Sequence, residues 1–229
     1  MVLTDYYGQR LHGSRLKRCY EIAPPRIRKY LDAEVQYALR RTPRQGRILE
    51  LGCGYGRFLK YLAKISQTVV GIDISLSSLG LARQLSEEFP ACYVAAMNAV
   101  GLGFRDNTFD RVVCIQNGIS AFHVDQRALI EESIRVTKDG GLVLFSSYSD
   151  KIWPARLHWF ELQAEAGLIG EIDREQTRDG VIVCRDGFKA STISAECFRE
   201  LTADLQVNIN LEEIDDSSVF CVLTVRKDT

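Results

Sequence analysis

The sequence predicts an α/β protein: a doubly wound, mostly parallel sheet of seven strands closed by a C-terminal antiparallel hairpin. Three observations predict it. Between residues 47 and 147, short apolar runs alternate with amphipathic stretches, the rhythm of βαβ units with right-handed crossovers. A glycine-rich turn, Gly52-Cys53-Gly54-Tyr55-Gly56, follows the first apolar run. The chain also closes on two strand-like segments, 207–214 and 219–225, joined by the polar turn Asp215-Asp216-Ser217-Ser218. With 229 residues, 46% of them hydrophobic, it fits one domain carrying an insertion better than two domains.

Residues 1–42 read as an N-terminal helical cap. Pro24 and Pro25 suit a helix start, and Ile27, Tyr30, Leu31, Val35, Ala38 and Leu39 recur at helical spacing until Pro43 ends the run. Residues 43–147 form the core. Ile48 to Leu51, bounded by glycine, fits a buried parallel strand. The helix from Arg57 to Lys64 carries Phe58, Leu59, Leu62 and Ile65 inward, and its first N–H groups would favour a carboxylate or other electron-rich group. Thr68 to Asp73 is the second strand, and Ser75 or Ser77 caps the helix of Leu79, Leu81, Ala82 and Leu85. A third strand lies near Cys92 to Ala95 and a fourth at Asp110 to Ile115. Asp125 caps the helix of Leu129, Ile130, Ile134 and Val136, and Asp139-Gly140-Gly141 turns into a fifth strand, Leu142 to Ser147. Residues 148–193 break the alternation. A helix begun at Pro154 and ending near Gly167, then Ile169 to Thr177 and Val181 to Cys184 about Asp179-Gly180, read as an inserted helix-hairpin lid. Residues 194–229, with a helix capped by Ser194, complete the core.

Composition narrows the function classes. Net charge is −1, which gives no global attraction to nucleic acid. Charge is uneven, however: residues 1–47 hold eleven Arg or Lys against four Asp or Glu, a net +7 against −8 for the remainder. That segment is either a docking surface for an anion or the solvated face of amphipathic helices. The seven cysteines contain no CxxC pair and sit mostly in apolar runs, as in a reducing compartment. The start of the chain has no apolar stretch of signal-peptide type and no run could span a bilayer, so a cytoplasmic protein without a membrane partner is expected. No His, Cys or Asp cluster has metal-ligand spacing, so no metal is expected.

The chemistry concentrates around the glycines. Lacking Cβ atoms, they let a ligand approach the backbone closely. Glu50, at the end of the first strand, is acceptor-only and suits an ammonium group or hydroxyls. Asp73, at the tip of the neighbouring strand, can take both hydroxyls of a ribose. The loop and the two acids read as a nucleoside site.

Glu50-Leu51-Gly52-Cys53-Gly54-Tyr55-Gly56 resembles motif I of the class I S-adenosylmethionine-dependent methyltransferases, Glu/Asp-x-Gly-x-Gly-x-Gly, of the small-molecule methyltransferase type. The dinucleotide fingerprint G-x-G-x-x-G needs its third glycine elsewhere. The resemblance extends over about 47–147, and over 194–229 in outline. It implies a Rossmann-like fold and a site for S-adenosylmethionine, with S-adenosylhomocysteine as product. Glu50, Gly52, Cys53, Gly54, Asp73, Ile74, Asn98, Ala99 and Gln116 would hold the cofactor. Ile74 lies either against the adenine or in the core. Asn98 stands where the family has Asp, and its amide oxygen can still accept from the adenine amino group.

The resemblance implies methyl transfer to a small-molecule acceptor by in-line displacement, without a nucleic-acid substrate, since the Asn/Asp-Pro-Pro-Tyr/Phe motif is missing after the fourth strand. Tyr6, Tyr7, Asn117 and Trp153 are candidate substrate contacts, with Trp159 and Phe160 as further pocket aromatics; the terminal tyrosines and lid aromatics also make sense as packing alone. His123 is the candidate catalytic base, or else only precedes the helix at Asp125. A macromolecule-modifying methyltransferase, an NAD-dependent oxidoreductase and a non-catalytic nucleoside-binding scaffold are the alternatives. Oligomeric state is not legible.

Overall fold

The computed structural model describes residues 6–227, with the backbone alone for Tyr7 and Gly8. Three helices open it: α1 (Tyr6–Gln9), α2 (Gly13–Glu21) and α3 (Pro25–Arg40). Pro25 stands in the first turn of α3, where its missing N–H has no helical partner to lose. Next come β1 (Arg47–Leu51), α4 (Leu59–Ala63), β2 (Thr68–Asp73), α5 (Leu76–Ser86), β3 (Cys92–Ala96), β4 (Phe109–Cys114), α6 (Gly118–Ala121), α7 (Gln126–Val136) and β5 (Thr137–Tyr148). A 3-10 turn at Asp150–Ile152 leads into α8 (Trp153–Glu165), the short strands β6 (Ile182–Val183) and β7 (Lys189–Ala190), α9 (Ala195–Thr202), β8 (Val207–Ile214) and β9 (Ser218–Val225). The side chains of Ser75, Asp125 and Ser194 each accept a backbone N–H at the start of α5, α7 and α9, which is why those helices begin there.

Seven strands form one sheet in the order β3-β2-β1-β4-β5-β9-β8. The five strands from β1 to β5 run parallel, while β9 pairs antiparallel with both β5 and β8. Strand order reverses between β1 and β4. The carboxyl ends of those two strands therefore flank a crevice, the place where open α/β sheets bind ligands.

Alternate residues of each central strand supply two cores. Leu49, Leu51, Val112 and Phe145 pack with Leu129 and Ile130 of α7 and Phe198 of α9. Ile48, Val113 and Leu144 pack with Val35 and Ala38 of α3, Leu59 and Leu62 of α4, and Leu79 of α5. A third cluster joins Leu11, Ile27 and Leu31 of the N-terminal segment to Trp159, Phe160, Ile172 and Phe188 of the insertion. The insertion thus buries its apolar residues against the first helices, and both end up over the same edge of the crevice. Among the described residues no helix is long and apolar enough to cross a membrane.

Three details depart from the expected elements. The anticipated hairpin of 169–177 with 181–184 is reduced to a turn: Arg178 bridges Val181 and Ile172 bridges Cys184, while the regular ladder forms between β6 and β7. Asp173 is the reason. Its Oδ1 accepts the Glu175 and Gln176 N–H groups, coiling that stretch instead of extending it. β5 starts five residues early and carries Asp139-Gly140-Gly141 within it as an irregularity, the pairing jumping from Phe109–Thr137 to Arg111–Leu142. The helix after the glycine loop spans only Leu59–Ala63, too short for its N-terminus to serve as an anion site.

Candidate functional site

Beyond Leu51 the backbone turns through Gly52, Gly54 and Gly56 with φ of 69°, 53° and 88°, a left-handed region that side chains rarely adopt. Space adds a second constraint. A Cβ on Gly52 would stand 2.4 Å from the Phe122 ring, and one on Gly56 would stand 3.0 Å from the Ala82 backbone of α5. Gly52→Ala should therefore destabilise the protein by about 2 kcal/mol, from left-handed strain plus displacement of Phe122. Thermal denaturation measures this, and an unchanged midpoint would contradict the closeness of the loop to Phe122.

Two carboxylates flank the loop. Glu50 is buried, and its Oε2 has no hydrogen-bond partner. Burial pushes its carboxyl up to about 8; the nearby Arg57 works against that rise and Asp73 adds to it. Asp73 accepts the Gly54 N–H through Oδ2 at 2.9 Å and the Ser75 N–H through Oδ1 at 2.8 Å. It thereby ties the loop to the start of α5 at the edge of the cleft it lines.

Cys53, Ile74, Asn98, Ala99, Gln116 and Asn117 line that same cleft, together with Glu50, Gly52, Gly54 and Asp73. Ile74 is 52% exposed, so it is a surface of the cleft and no part of a core. Asn98 Oδ1 accepts the Val100 N–H, shaping its own turn. Gln116 has φ of 59°. Its N–H is shared between Glu34 Oε2 and Ser146 Oγ, both at 2.8 Å. Asn117 is held at both ends, donating to the Ser191 carbonyl and accepting from Ser147 Oγ. It fastens the tip of β4 to the end of the insertion. The opposite wall comes from the N-terminal helices and the insertion: Tyr20, Tyr148, Trp159, Phe160, Gln163 and Ala190. The Tyr20 ring meets Tyr55 and Trp159 edge-on at 5.8 and 5.9 Å.

Other expected contacts lie elsewhere. Tyr6 packs on Phe188 and donates its hydroxyl to Asp186 at 2.5 Å, pinning the first helix to the insertion. Trp153 starts α8 beneath the Arg156 guanidinium and does not line the cleft, whereas Trp159 and Phe160 do. His123 adopts φ of 52° between Phe122 and Val124; those two residues line the cleft and His123 does not. The side chain of Tyr7 is outside the described residues. Conversely, nothing in the sequence singles out Glu34, Tyr20, Arg57 or Gln163. Glu34 sits on the apolar face of α3 among Tyr30, Leu31 and Val35, and a lone acid on such a face is the one signal available. Among the described residues no group of three or more His, Cys, Asp and Glu is placed to hold a metal ion.

A glycine turn thus lies at the switch point of a seven-stranded α/β sheet, with an acid near the tips of β1 and β2. A family model described as a methyltransferase domain matches residues 48–141. Among curated proteins, the chain is 25% identical to the 2-methyl-6-phytyl-1,4-hydroquinone methyltransferase of Synechocystis sp., over 66% of this chain and 48% of that one. It is 30% identical to the demethylmenaquinone methyltransferase of Bacillus licheniformis, over 59% and 61%. The matched stretch thus spans about half to three-fifths of these relatives' length. In fold it resembles the N-methyltransferase NodS from Bradyrhizobium japonicum, crystallised with S-adenosylhomocysteine, at a TM-score of 0.60 and 16% identity, covering 93% of this chain and 97% of that one. Residues 48–141 are thus similar to a methyltransferase domain, and the chain as a whole shares the fold of solved methyltransferases.

Proposed function

We propose that this protein transfers a methyl group from S-adenosylmethionine to a small-molecule acceptor by direct in-line displacement. The observation that carries the reading is Glu50: a buried carboxylate oxygen without a partner, on the cleft wall beside a loop whose glycines leave no Cβ in the way. The cofactor's ammonium group fits that oxygen, and its ribose hydroxyls suit the acceptor-only Asp73 carboxylate at the tip of β2. Asn98 and Ala99 would meet the adenine edge, Ile74 its face, and Gln116 the amino-acid end. When bound, the cofactor supplies an already activated methyl group. What the chain adds is alignment and exclusion of water, in a cleft roofed by the N-terminal helices and the insertion.

Quinone-type acceptors of the relatives support a small molecule here. So does the basic N-terminal segment, because several of its cations are spent inside the fold: Arg26 and Lys29 on Asp215, Arg41 on Glu212, and Arg10 on Asp186. Incubation of the protein and labelled S-adenosylmethionine with a cell extract should place label in the small-molecule fraction. Label confined to protein or nucleic acid would move the reading to the macromolecular alternative, and no transfer at all to the scaffold.

A further inference from the structure

The cleft holds more buried donors than the protein satisfies. Arg57 Nε and Nη2, Gln116 Nε2 and Gln163 Nε2 have no hydrogen-bond partner, and all three residues line it. Gln163 is only 2% exposed. Among the described cleft residues, the matching orphan acceptor is Glu50 Oε2, which the reading above reserves for an ammonium group. An unpaired buried donor costs about 1–3 kcal/mol, more when charged, so the surplus points to a ligand rich in lone pairs.

The surroundings say what shape that ligand has. Trp159, Phe160 and Gln163 stand on one side of α8 at i, i+1 and i+4, Gln163 lying one turn beyond the two aromatics. The Gln163 amide is therefore set among aromatic faces. Tyr20 and Tyr148 extend that enclosure, and the Arg57 guanidinium lies 4.9 Å from the Tyr20 ring centroid. A flat ring fills such a slot and presents its substituents to Gln163 and Arg57.

Among the described residues, Glu50 and Asp73 are the carboxylates lining the cleft and no histidine lines it, so the acceptor wall offers no carboxylate or imidazole base. Tyr55 and Cys19 are pushed up to about 12 by burial, and burial also raises Tyr148 and Cys53, so all four stay protonated. Glu34, which like Glu50 feels the Arg57 charge, already accepts from Ser218 Oγ and the Gln116 N–H, and burial pushes it up to about 7.

Resting on the methyl-transfer reading, we propose that the acceptor is a planar aromatic oxyanion, bound already ionised, with its charged oxygen held by Arg57 and Gln163. Two donors leave one of that oxygen's three lone pairs open. In the transfer this pair forms the bond to the methyl carbon, the carbon–sulfur bond breaks, and its electrons remain on sulfur. The sulfonium's positive charge and the acceptor's negative charge vanish together, and no proton moves.

The test uses 4-nitrophenol, whose phenolate absorbs visible light, on protein saturated with S-adenosylhomocysteine, with 4-nitroanisole as the neutral partner. Bound 4-nitrophenol should ionise about one pH unit below the free dye, and 4-nitroanisole should bind at least about tenfold more weakly. Gln163→Glu, which sets a negative charge against the oxyanion, should push that ionisation back up by about one unit, while S-adenosylhomocysteine still binds. Gln163→Met, expected to abolish the shift, serves where the charged variant does not fold. A dye that ionises at its free value, or a neutral partner that binds as tightly, overturns the proposal. If Arg57→Gln weakens S-adenosylhomocysteine about tenfold and spares the dye shift, Arg57 serves the cofactor's carboxylate and its assignment here falls. Failure of S-adenosylhomocysteine to bind wild-type protein would instead sink the methyl-transfer reading.

Discussion

Asp73→Ala should lower the affinity for S-adenosylhomocysteine about a hundredfold. Hydrogen bonds to a charged acceptor contribute about 1.5–3 kcal/mol each, and two ribose hydroxyls on one carboxylate reach about 3 kcal/mol or more. A second effect acts in the same direction. The same carboxylate accepts the Gly54 and Ser75 N–H groups, so its removal also loosens the glycine loop. Asp73→Asn separates the two. One amide oxygen can still take the Gly54 N–H while the other side of the group becomes a donor, which suits neither Ser75 nor a pair of hydroxyls that both donate. Calorimetry on both variants, with melting curves to establish folding, should find Asn intermediate. Undiminished binding by the alanine variant would remove Asp73 from the ribose.

Glu50 makes binding depend on pH with a defined sign. Its carboxyl, pushed up to about 8 by burial, is mostly protonated at pH 6 in the ligand-free protein. An ammonium partner requires the ionised form. Affinity for S-adenosylhomocysteine should therefore rise with pH, by up to about tenfold per unit below pH 8, and level off above it. Glu50→Gln should weaken binding about tenfold or more at pH 8 and flatten the profile. Stability of the free protein runs the other way. A raised carboxyl binds its proton more tightly folded than unfolded, so stability is highest below about 4.5 and declines as pH climbs through about 7 for Glu34 and about 8 for Glu50. Carboxyls held low, such as Glu132 beside Arg135 and Glu213 beside Lys151, lose their contribution only under acid conditions, in a separate window. Melting temperature and affinity measured over pH 5.5–8.5 should thus move in opposite directions. A flat affinity profile would mean that Glu50 does not meet the ammonium group.

The features legible in the sequence are those whose cause is local. Ser75, Asp125 and Ser194 announce their helices because a cap works within three residues. The Ile48–Leu51 run announces a buried strand because both of its neighbours are also buried strands. Glu50 and Asp73 can be placed because both close a strand whose end the topology fixes. Hidden features depend on contacts between distant segments. Gln163 and Arg57 meet at one cleft only because the N-terminal helices and the insertion share a core built from Leu11, Ile27, Trp159 and Phe188. No period or motif encodes that meeting. Tyr6 illustrates the converse: an aromatic suited to substrate contact finds Asp186 across 180 residues of chain and serves packing. Asp173 shows how one short side chain, by bonding its own backbone, turns a segment of strand-like composition into a coil.

The most direct measurement is a calorimetric titration of the wild-type protein with S-adenosylhomocysteine and, on the same preparation, with NAD. One-to-one binding of the first and no heat from the second is the expected result. Tight binding of NAD with no response to S-adenosylhomocysteine would contradict the reading of Glu50, Asp73 and the glycine loop as a site for a sulfonium nucleoside.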